Sequence, residues 1–277
     1  MPRYFATPEW LDAVPEPLAE LHRGLELKLL REICERLNLS GQLNEVTVQD
    51  IRALRSHGIS LDEIQKAIME TTGIAEKMLN ELLDDVVERN QRYYTELITL
   101  AKATEPQTLV DAVDIAAIRW QTWAAYKNIT GSMGFLVRQG GRLAMLEPAK
   151  AYHWALDGAA LQVQSGAISY NEAIRGAVRQ LADSGLCVAR DKDGNILKNH
   201  VQYESGYRLS LDSAVRMCVM TGVNQLNQKY REQSMEYLET DLVEVTAHLG
   251  ARNITKPGDH PWVAHTYFQG KVFRWKR

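Results

Sequence analysis

The spacing of apolar residues predicts an amphipathic helix near the start of the chain. From Pro17 onward, apolar side chains recur at steps of three and four, which is the period of one helix face. They are Leu18, Leu21, Leu25, Leu29, Ile33 and Leu37. Pro15 and Pro17 mark the start of this helix, and Asn38 and Gly41 mark its end.

A pair of shorter helices is predicted to follow. The first runs from Thr47 to Gly58, and the second begins at a capping box of Ser60 and Glu63 and ends at Gly73. Such a pair can be a DNA-binding helix-turn-helix. We favour a structural pair, because the second helix lacks the cluster of Arg and Lys residues that marks a nucleic-acid-binding surface.

A long helix is predicted from Gly73 to about Ala103, with Pro106 beyond its end. It carries two adjacent apolar stripes, one with Ile74, Met78, Leu82 and Val86, and one with Leu79, Leu83 and Val87. A helix of this length is typical of a bundle element and takes most of its stability from packing.

Two tryptophans lie on the next predicted helix, from Thr108 to Asn128. Trp120 and Trp123 share this helix with Ile115 and Ile118. Paired tryptophans are more typical of a core or of a subunit interface than of a ligand cage, since they bury large areas. Trp120 and Trp123 are therefore candidates for partner binding.

Shorter elements, including β-strands, are predicted beyond residue 128. Gly140-Gly141 and Asp193-Gly194 predict hairpin turns. The other predicted elements are helices over 147–164, 169–184 and 211–238 and strands over 187–189, 196–201, 243–246 and 272–275. The expected fold is mainly α in an N-terminal half with long helices, residues 1–128, and α+β in a C-terminal module, residues 129–277.

Charge and composition narrow the range of functions. The chain has 277 residues, of which 45% are hydrophobic and 24% charged, and its net charge is -3. This slightly negative net charge argues against a protein that binds nucleic acid over its whole surface. A basic cluster of Lys271, Arg274, Lys276 and Arg277 at the C-terminus is either a solvated tail or a weak DNA contact. We expect a cytoplasmic protein, because no signal peptide and no apolar run of about 18 residues is present.

The cysteines predict neither a disulfide framework nor a zinc knuckle. Cys34, Cys187 and Cys218 are far apart in the sequence, and no CxxC occurs. We expect buried free thiols, as in a reducing cytoplasm. No cofactor-binding or catalytic motif is recognised elsewhere in the chain.

One polar constellation near the C-terminus admits more than one interpretation. It contains His248, Arg252, His260 and His265. These histidines could bind zinc together with Asp259, although the spacing matches no standard zinc pattern, or they could hydrogen-bond the backbone of an irregular segment. His248 and Arg252 close to Glu244 would also be compatible with an ADP-ribosyl transfer site.

The same segment resembles the phage minor capsid protein family. The resemblance rests on HLGAR and on a His four residues before QGK and an aromatic residue; the motif residues are His248, Gly250, Ala251, Arg252, His265, Gln269 and Gly270. Phe268 stands where the family often has Trp, and the insert NITKPGDHPWVA separates Arg252 from His265. Further blocks, including VQSGAISYNEAIRGAVRQLADSGL and YESGYRLSLDSAVRMCVMTGVNQLNQ, extend the resemblance over about residues 45–275.

The resemblance implies a structural, non-enzymatic component of a tailed-phage head, related in role to Mu-type minor head proteins. It implies binding to the portal protein and to other head proteins, with several copies around the portal ring, and a role in head assembly or DNA delivery. It brings no catalytic residue to this chain, and we expect no metal or cofactor, no membrane contact, and at most weak contact with packaged DNA. The expected location is the phage head near the portal, and the host cytoplasm during assembly. An ADP-ribosyltransferase-like enzyme, or a degenerate relative, is the alternative.

Overall fold

The structure, a computed structural model, describes residues 7–37, 61–102, 106, 108–139, 142–166, 168–189, 208–245 and 267–275. Its helices are α1 (Pro8–Ala13), α2 (Glu16–Leu37), α3 (Leu61–Lys102), α4 (Ala112–Thr130), α5 (Pro148–Gln164), α6 (Tyr170–Ser184) and α7 (Leu211–Tyr237). Its strands are β1 (Met133–Gln139), β2 (Arg142–Leu146), β3 (Leu186–Ala189), β4 (Arg208–Ser210), β5 (Leu242–Glu244) and β6 (Val272–Arg274). Long helices in the N-terminal half and mixed helices and small antiparallel sheets beyond it confirm the predicted fold class.

Helix α3 corrects one sequence prediction. A helix end was expected at Gly73, but α3 continues through this glycine for 42 residues in all. A glycine in a helix interior costs only about 1 kcal/mol relative to alanine. Buried residues recur on one face of α3 on both sides of Gly73, and their packing outweighs that cost; they include Ile64, Ala67, Ala75, Leu79, Leu83 and Val86. Ile74 is more than half exposed and lies outside this buried face.

Contacts divide the chain into two compact units built from separate segments. Unit 1 comprises residues 1–14, 81–120 and 221–277, and unit 2 comprises residues 15–80 and 121–220. The boundary expected from the sequence near residue 128 stays a prediction. The helix expected from Thr47 to Gly58, the Asp193-Gly194 turn and the strand over 196–201 lie outside the described residues.

Unit 2 contains a four-stranded antiparallel sheet in the order β2-β1-β3-β4. The strands on both sides of Gly140-Gly141 pair antiparallel as predicted, from Phe135 opposite Leu146 to Gln139 opposite Arg142, and the two glycines themselves lie outside the described residues. Gly134 is required in β1, because a Cβ atom there would lie 2.5 Å from the carbonyl oxygen of Leu146. One apolar cluster of the sheet contains Leu136, Met145, Cys187 and Ala189.

Helices cover this sheet within unit 2. Helices α5 and α6 pack on each other and on β1, and α2 packs on α6. Helix α6 begins at a capping box in which the Ser169 hydroxyl accepts from the backbone N–H of Glu172 and the Glu172 side chain accepts from the backbone N–H of Ser169. The Tyr170 hydroxyl donates to the carbonyl of Leu37 at 3.0 Å, which fixes the end of α2 against the start of α6.

A buried polar pair and a surface ion-pair cluster complete unit 2. The His22 ring nitrogen Nδ1 lies 2.6 Å from the Leu18 carbonyl oxygen, and Nε2 lies 2.8 Å from the Tyr126 hydroxyl. At the surface, Arg23 donates to Glu16 at 2.5 Å and to Asp212 at 2.8 Å, and Arg216 contacts the same two carboxylates. These hydrogen bonds, the one from Arg216 first, lower the pKa of Glu16.

Unit 1 has its own apolar core between α3, α4 and α7. Its buried members are Tyr94, Ile98, Leu109, Val110 and Tyr230. Beside this core, the buried amide of Asn90 donates to Asn227 at 2.8 Å and to the carbonyl of Val86 at 2.8 Å. Polar pairs of this kind between helices can specify how the helices pair.

Candidate functional site

The described part of the C-terminal motif forms a two-stranded ribbon. Strands β5 and β6 pair antiparallel, with Leu242 opposite Arg274 and Glu244 opposite Val272. Gly270 turns the chain into β6 with a φ of 69°, a backbone conformation that favours glycine. Its N–H donates to the Val245 carbonyl at 2.7 Å, and the Val245 N–H donates to the Lys271 carbonyl at 3.0 Å. Gly270 and Lys271 therefore extend the ladder between the two strands.

Aromatic side chains pack around this turn. Phe268 lies 5.7 Å from Phe273 and 5.2 Å from Tyr267, measured between ring centroids. The Lys271 ammonium lies 3.7 Å from the centre of the Tyr267 ring, which is a cation–π contact. A two-stranded ribbon is at best marginally stable alone. These contacts add side-chain packing to the short ribbon at the QGK segment.

The remaining motif residues lie outside the described residues: His248, Gly250, Ala251, Arg252 and His265. Their shared site stays a prediction, as does the ADP-ribosyl transfer alternative, for which the structure describes Glu244 alone, exposed on β5. Over the described ranges, no group of three or more His, Cys, Asp or Glu side chains is close enough to hold a metal ion.

The two candidate tryptophans have different environments. Trp120 is 70% exposed. Trp123 is half-buried and stacks on Tyr126, with ring centroids 5.2 Å apart and an interplanar angle of 12°, and Lys127 lies 5.9 Å from its ring centre. Trp120 is therefore available to a partner as it stands, whereas Trp123 is already packed against its own unit.

Two charged side chains of α4 form ion pairs within unit 1. Asp114 accepts a hydrogen bond from Lys229 of α7 at 2.8 Å, and this bond raises the pKa of the Lys229 amine. Arg119 forms an ion pair with Asp84 of α3. The helix that carries Trp120 is thus held between α3 and α7 by one ion pair on each side.

A groove of about 880 Å³ runs along α3 in unit 1. Apolar side chains from four segments line it, including Val87, Leu100, Val110, Ile115 and Tyr230, and its polar lining includes Asp84, Glu88, Arg92 and Glu96. Within the groove, the Gln91 side chain links α3 to the segment before α4, since its Oε1 accepts from the Leu109 N–H at 3.3 Å. The volume is within the range of small-molecule sites, but the described residues that line the groove do not include a convergent set of catalytic groups.

The shifted pKa values fit a structural role. Burial raises the pKa of Cys218 to about 11 and raises the pKa values of Tyr94, Tyr126 and Tyr230. Burial lowers the pKa of His22. These side chains lie in packed interiors and are kept neutral, whereas a catalytic acid or base lies in a cleft with its pKa near the working pH.

Comparison with known families decides the class of protein. The sequence profile of the family described as phage minor capsid protein 2 matches residues 6–272. The chain belongs to that phage minor capsid protein family. As a minor capsid protein, it is a structural component of the phage head that contacts other head proteins. Comparison with curated proteins and with solved structures gave no match.

The membership confirms the family resemblance drawn from HLGAR, QGK and the upstream blocks. Among the helices of the minor capsid protein that the structure describes, none is long and apolar enough to cross a membrane. Trp120 was identified from the sequence, but Val113, Ala116 and Ala117, its neighbours on the same face of α4, were not. The signal was present, because Asp114 and Arg119 both lie outside the arc of α4 that contains Trp120.

Proposed function

We propose that this minor capsid protein binds the portal vertex of the phage head and assists head assembly or DNA delivery. Family membership over residues 6–272 supports a head protein. The observation that carries the proposal further is Trp120, a large aromatic side chain that is 70% exposed on a helix fixed by ion pairs at both sides. Aromatic anchors on rigid elements are typical of the energetically dominant residues of protein interfaces.

Trp120 and Trp123 have separate tasks in this proposal. Trp120 inserts into the partner. Trp123 stacks on Tyr126 and supports the second half of α4. Several copies would surround the portal ring, so a modest affinity per copy is sufficient for stable attachment through multivalency.

Co-expression with the portal protein of the same phage tests the proposal. The full chain should co-purify with the portal and co-elute with the ring in size-exclusion chromatography. Trp120→Ala should weaken binding by about 2 kcal/mol or more, which is roughly thirtyfold in Kd, if Trp120 is a dominant contact. A wild-type chain that elutes alone at micromolar portal concentrations contradicts portal binding.

A further inference from the structure

The first nine residues of α4, 112–120, have an inverted arrangement of charge. A helix at a protein surface normally directs apolar side chains inward and charged ones outward. Here the two ionised residues, Asp114 and Arg119, point to Lys229 and Asp84 of neighbouring helices in unit 1. Ile115 also faces inward, against the apolar core of that unit.

The outward arc of the same segment is apolar and uncharged. At 3.6 residues per turn, Val113, Ala116, Ala117 and Trp120 fall within an arc of about 100°. We call these four residues the α4 outer face. Val113 is 74% exposed, Trp120 is 70% exposed, and both alanines are exposed. A contiguous apolar patch that contains an aromatic residue is a candidate interaction surface.

We infer that the α4 outer face receives an uncharged, apolar stretch of an α-helix from the portal protein. This inference rests on the proposed function and names the surface and the chemistry of its partner. Because the face carries no ionisable group, a charged partner segment would lose its hydration without gaining an ion pair. An apolar segment loses nothing comparable and buries further apolar area.

The shape of the α4 outer face favours a helix as the occupant. Ala116 and Ala117 are small, and they lie between the larger side chains of Val113 and Trp120. Small side chains allow two helix axes to approach to the low end of the range of about 8–10 Å. Trp120 then packs along the side of the incoming helix.

The size of the α4 outer face argues against a second copy of this chain as its occupant. A stable complex of two proteins needs about 800 Å² from each partner. A buried tryptophan supplies about 150–250 Å², and one valine and two alanines add less than that. The α4 outer face alone is too small to hold a homodimer in solution. It suits a partner that is also held elsewhere, as many copies around one ring would be.

Two exposed positions of similar character supply the test and its control. Ala117→Glu places a carboxylate in the middle of the face without disturbing a buried contact. Leu161→Glu makes a comparable change at Leu161 of α5, which is 69% exposed and lies outside the face. Binding of the full chain to purified portal is measured for wild type and both variants, with circular dichroism to confirm folding.

The expected result is a loss of portal affinity of at least about tenfold for Ala117→Glu and less than about twofold for Leu161→Glu, because only the first buries an unpaired charge. Equal affinities for wild type and Ala117→Glu, with the wild type bound, overturn the inference and leave the proposed function standing. A second copy as the occupant would instead appear as a wild-type dimer that Ala117→Glu dissociates, and this outcome also overturns it.

If the wild type shows no affinity for isolated portal, a crosslinking experiment tests the occupant of the α4 outer face separately from portal binding. Benzoylphenylalanine is placed at position 117 or 161 of the full chain during head assembly, and crosslinked peptides are identified by mass spectrometry. Crosslinks from position 117 to an uncharged helical stretch of the portal support the inference. Crosslinks from position 117 to another head protein overturn the inferred partner of the α4 outer face, and equal yields from the two positions show that this face is not a specific contact.

Discussion

The hydrogen bonds of His22 predict that unit 2 loses stability in mild acid. The Leu18 carbonyl can only accept, so Nδ1 carries the ring proton and donates to it at 2.6 Å. The Tyr126 hydroxyl then donates to Nε2 at 2.8 Å. The folded state favours the neutral ring because burial penalises the charged imidazolium, and in the neutral ring both nitrogens have a hydrogen-bond partner.

The sign of the pH dependence follows from the pKa shift. Burial lowers the pKa of His22 below its ordinary value of 6.5, against smaller opposing effects of the Leu18 hydrogen bond and of Asp212. The unfolded chain therefore binds more protons than the folded chain just below pH 6.5. Stability is fully present above that pH and is lost as the pH falls towards the folded pKa. The loss is at most about 1.4 kcal/mol for each pH unit between the two pKa values.

Urea unfolding followed by circular dichroism at about pH 7.5, 6.5 and 5.5 measures this loss. The matched variant is His22→Gln, whose amide can donate and accept but does not titrate in this range. Wild type should lose more stability than His22→Gln over this interval. Parallel losses in the two proteins would refute the assignment of the acid sensitivity to His22.

Tyr126→Phe tests the same contact from the other side. It removes the hydroxyl that donates to Nε2 and leaves a buried acceptor without its partner. The expected cost is about 1–3 kcal/mol at neutral pH. A cost close to zero would mean that Nε2 is not satisfied through Tyr126.

Three further predictions concern packing and buried polar groups. Gly134→Ala should destabilise the protein by about 1–3 kcal/mol in thermal unfolding, because its Cβ would meet the Leu146 carbonyl. Gly158→Ala, in open space on α5, should instead stabilise it by about 0.5–1 kcal/mol. Equal effects of the two substitutions would contradict this geometry. Asn227→Ala should cost about 1–3 kcal/mol in urea unfolding, since the buried Asn90 amide loses a partner, and a neutral effect would deny the pair a role. Cys218 should resist alkylation at about pH 8 until the protein unfolds, because burial raises its pKa to about 11 and blocks access; rapid labelling of the folded chain would contradict this.

Periodicity located most helices because their buried faces repeat along the sequence. Helix α2 covers the predicted apolar series from Leu18 to Leu37, and α6 begins after Ser169, where a capping box fixes its start. The helix expected from Thr108 begins at Ala112 instead. Leu109 and Val110 are buried in the core of unit 1, in the segment that precedes the helix.

Strand pairing and surface function could not be read from the sequence in the same way. The short strands β5 and β6 were expected, but their register depends on the Gly270 turn and on contacts between residues far apart in the chain. Trp120 was identified as a partner-binding candidate by residue type alone. Helical spacing already separates Asp114 and Arg119 from the α4 outer face, but only the structure shows that these two charges pair with α7 and α3.

The exposure of Trp120 also gives the protein an intrinsic optical signal. An indole in water emits at longer wavelength than an indole in an apolar environment, and Trp120 is 70% exposed. Trp123 is half-buried and already stacked, so its emission should change less when a partner docks. A blue shift in fluorescence, absent from Trp120→Phe, would therefore report docking at this helix in real time and without a label.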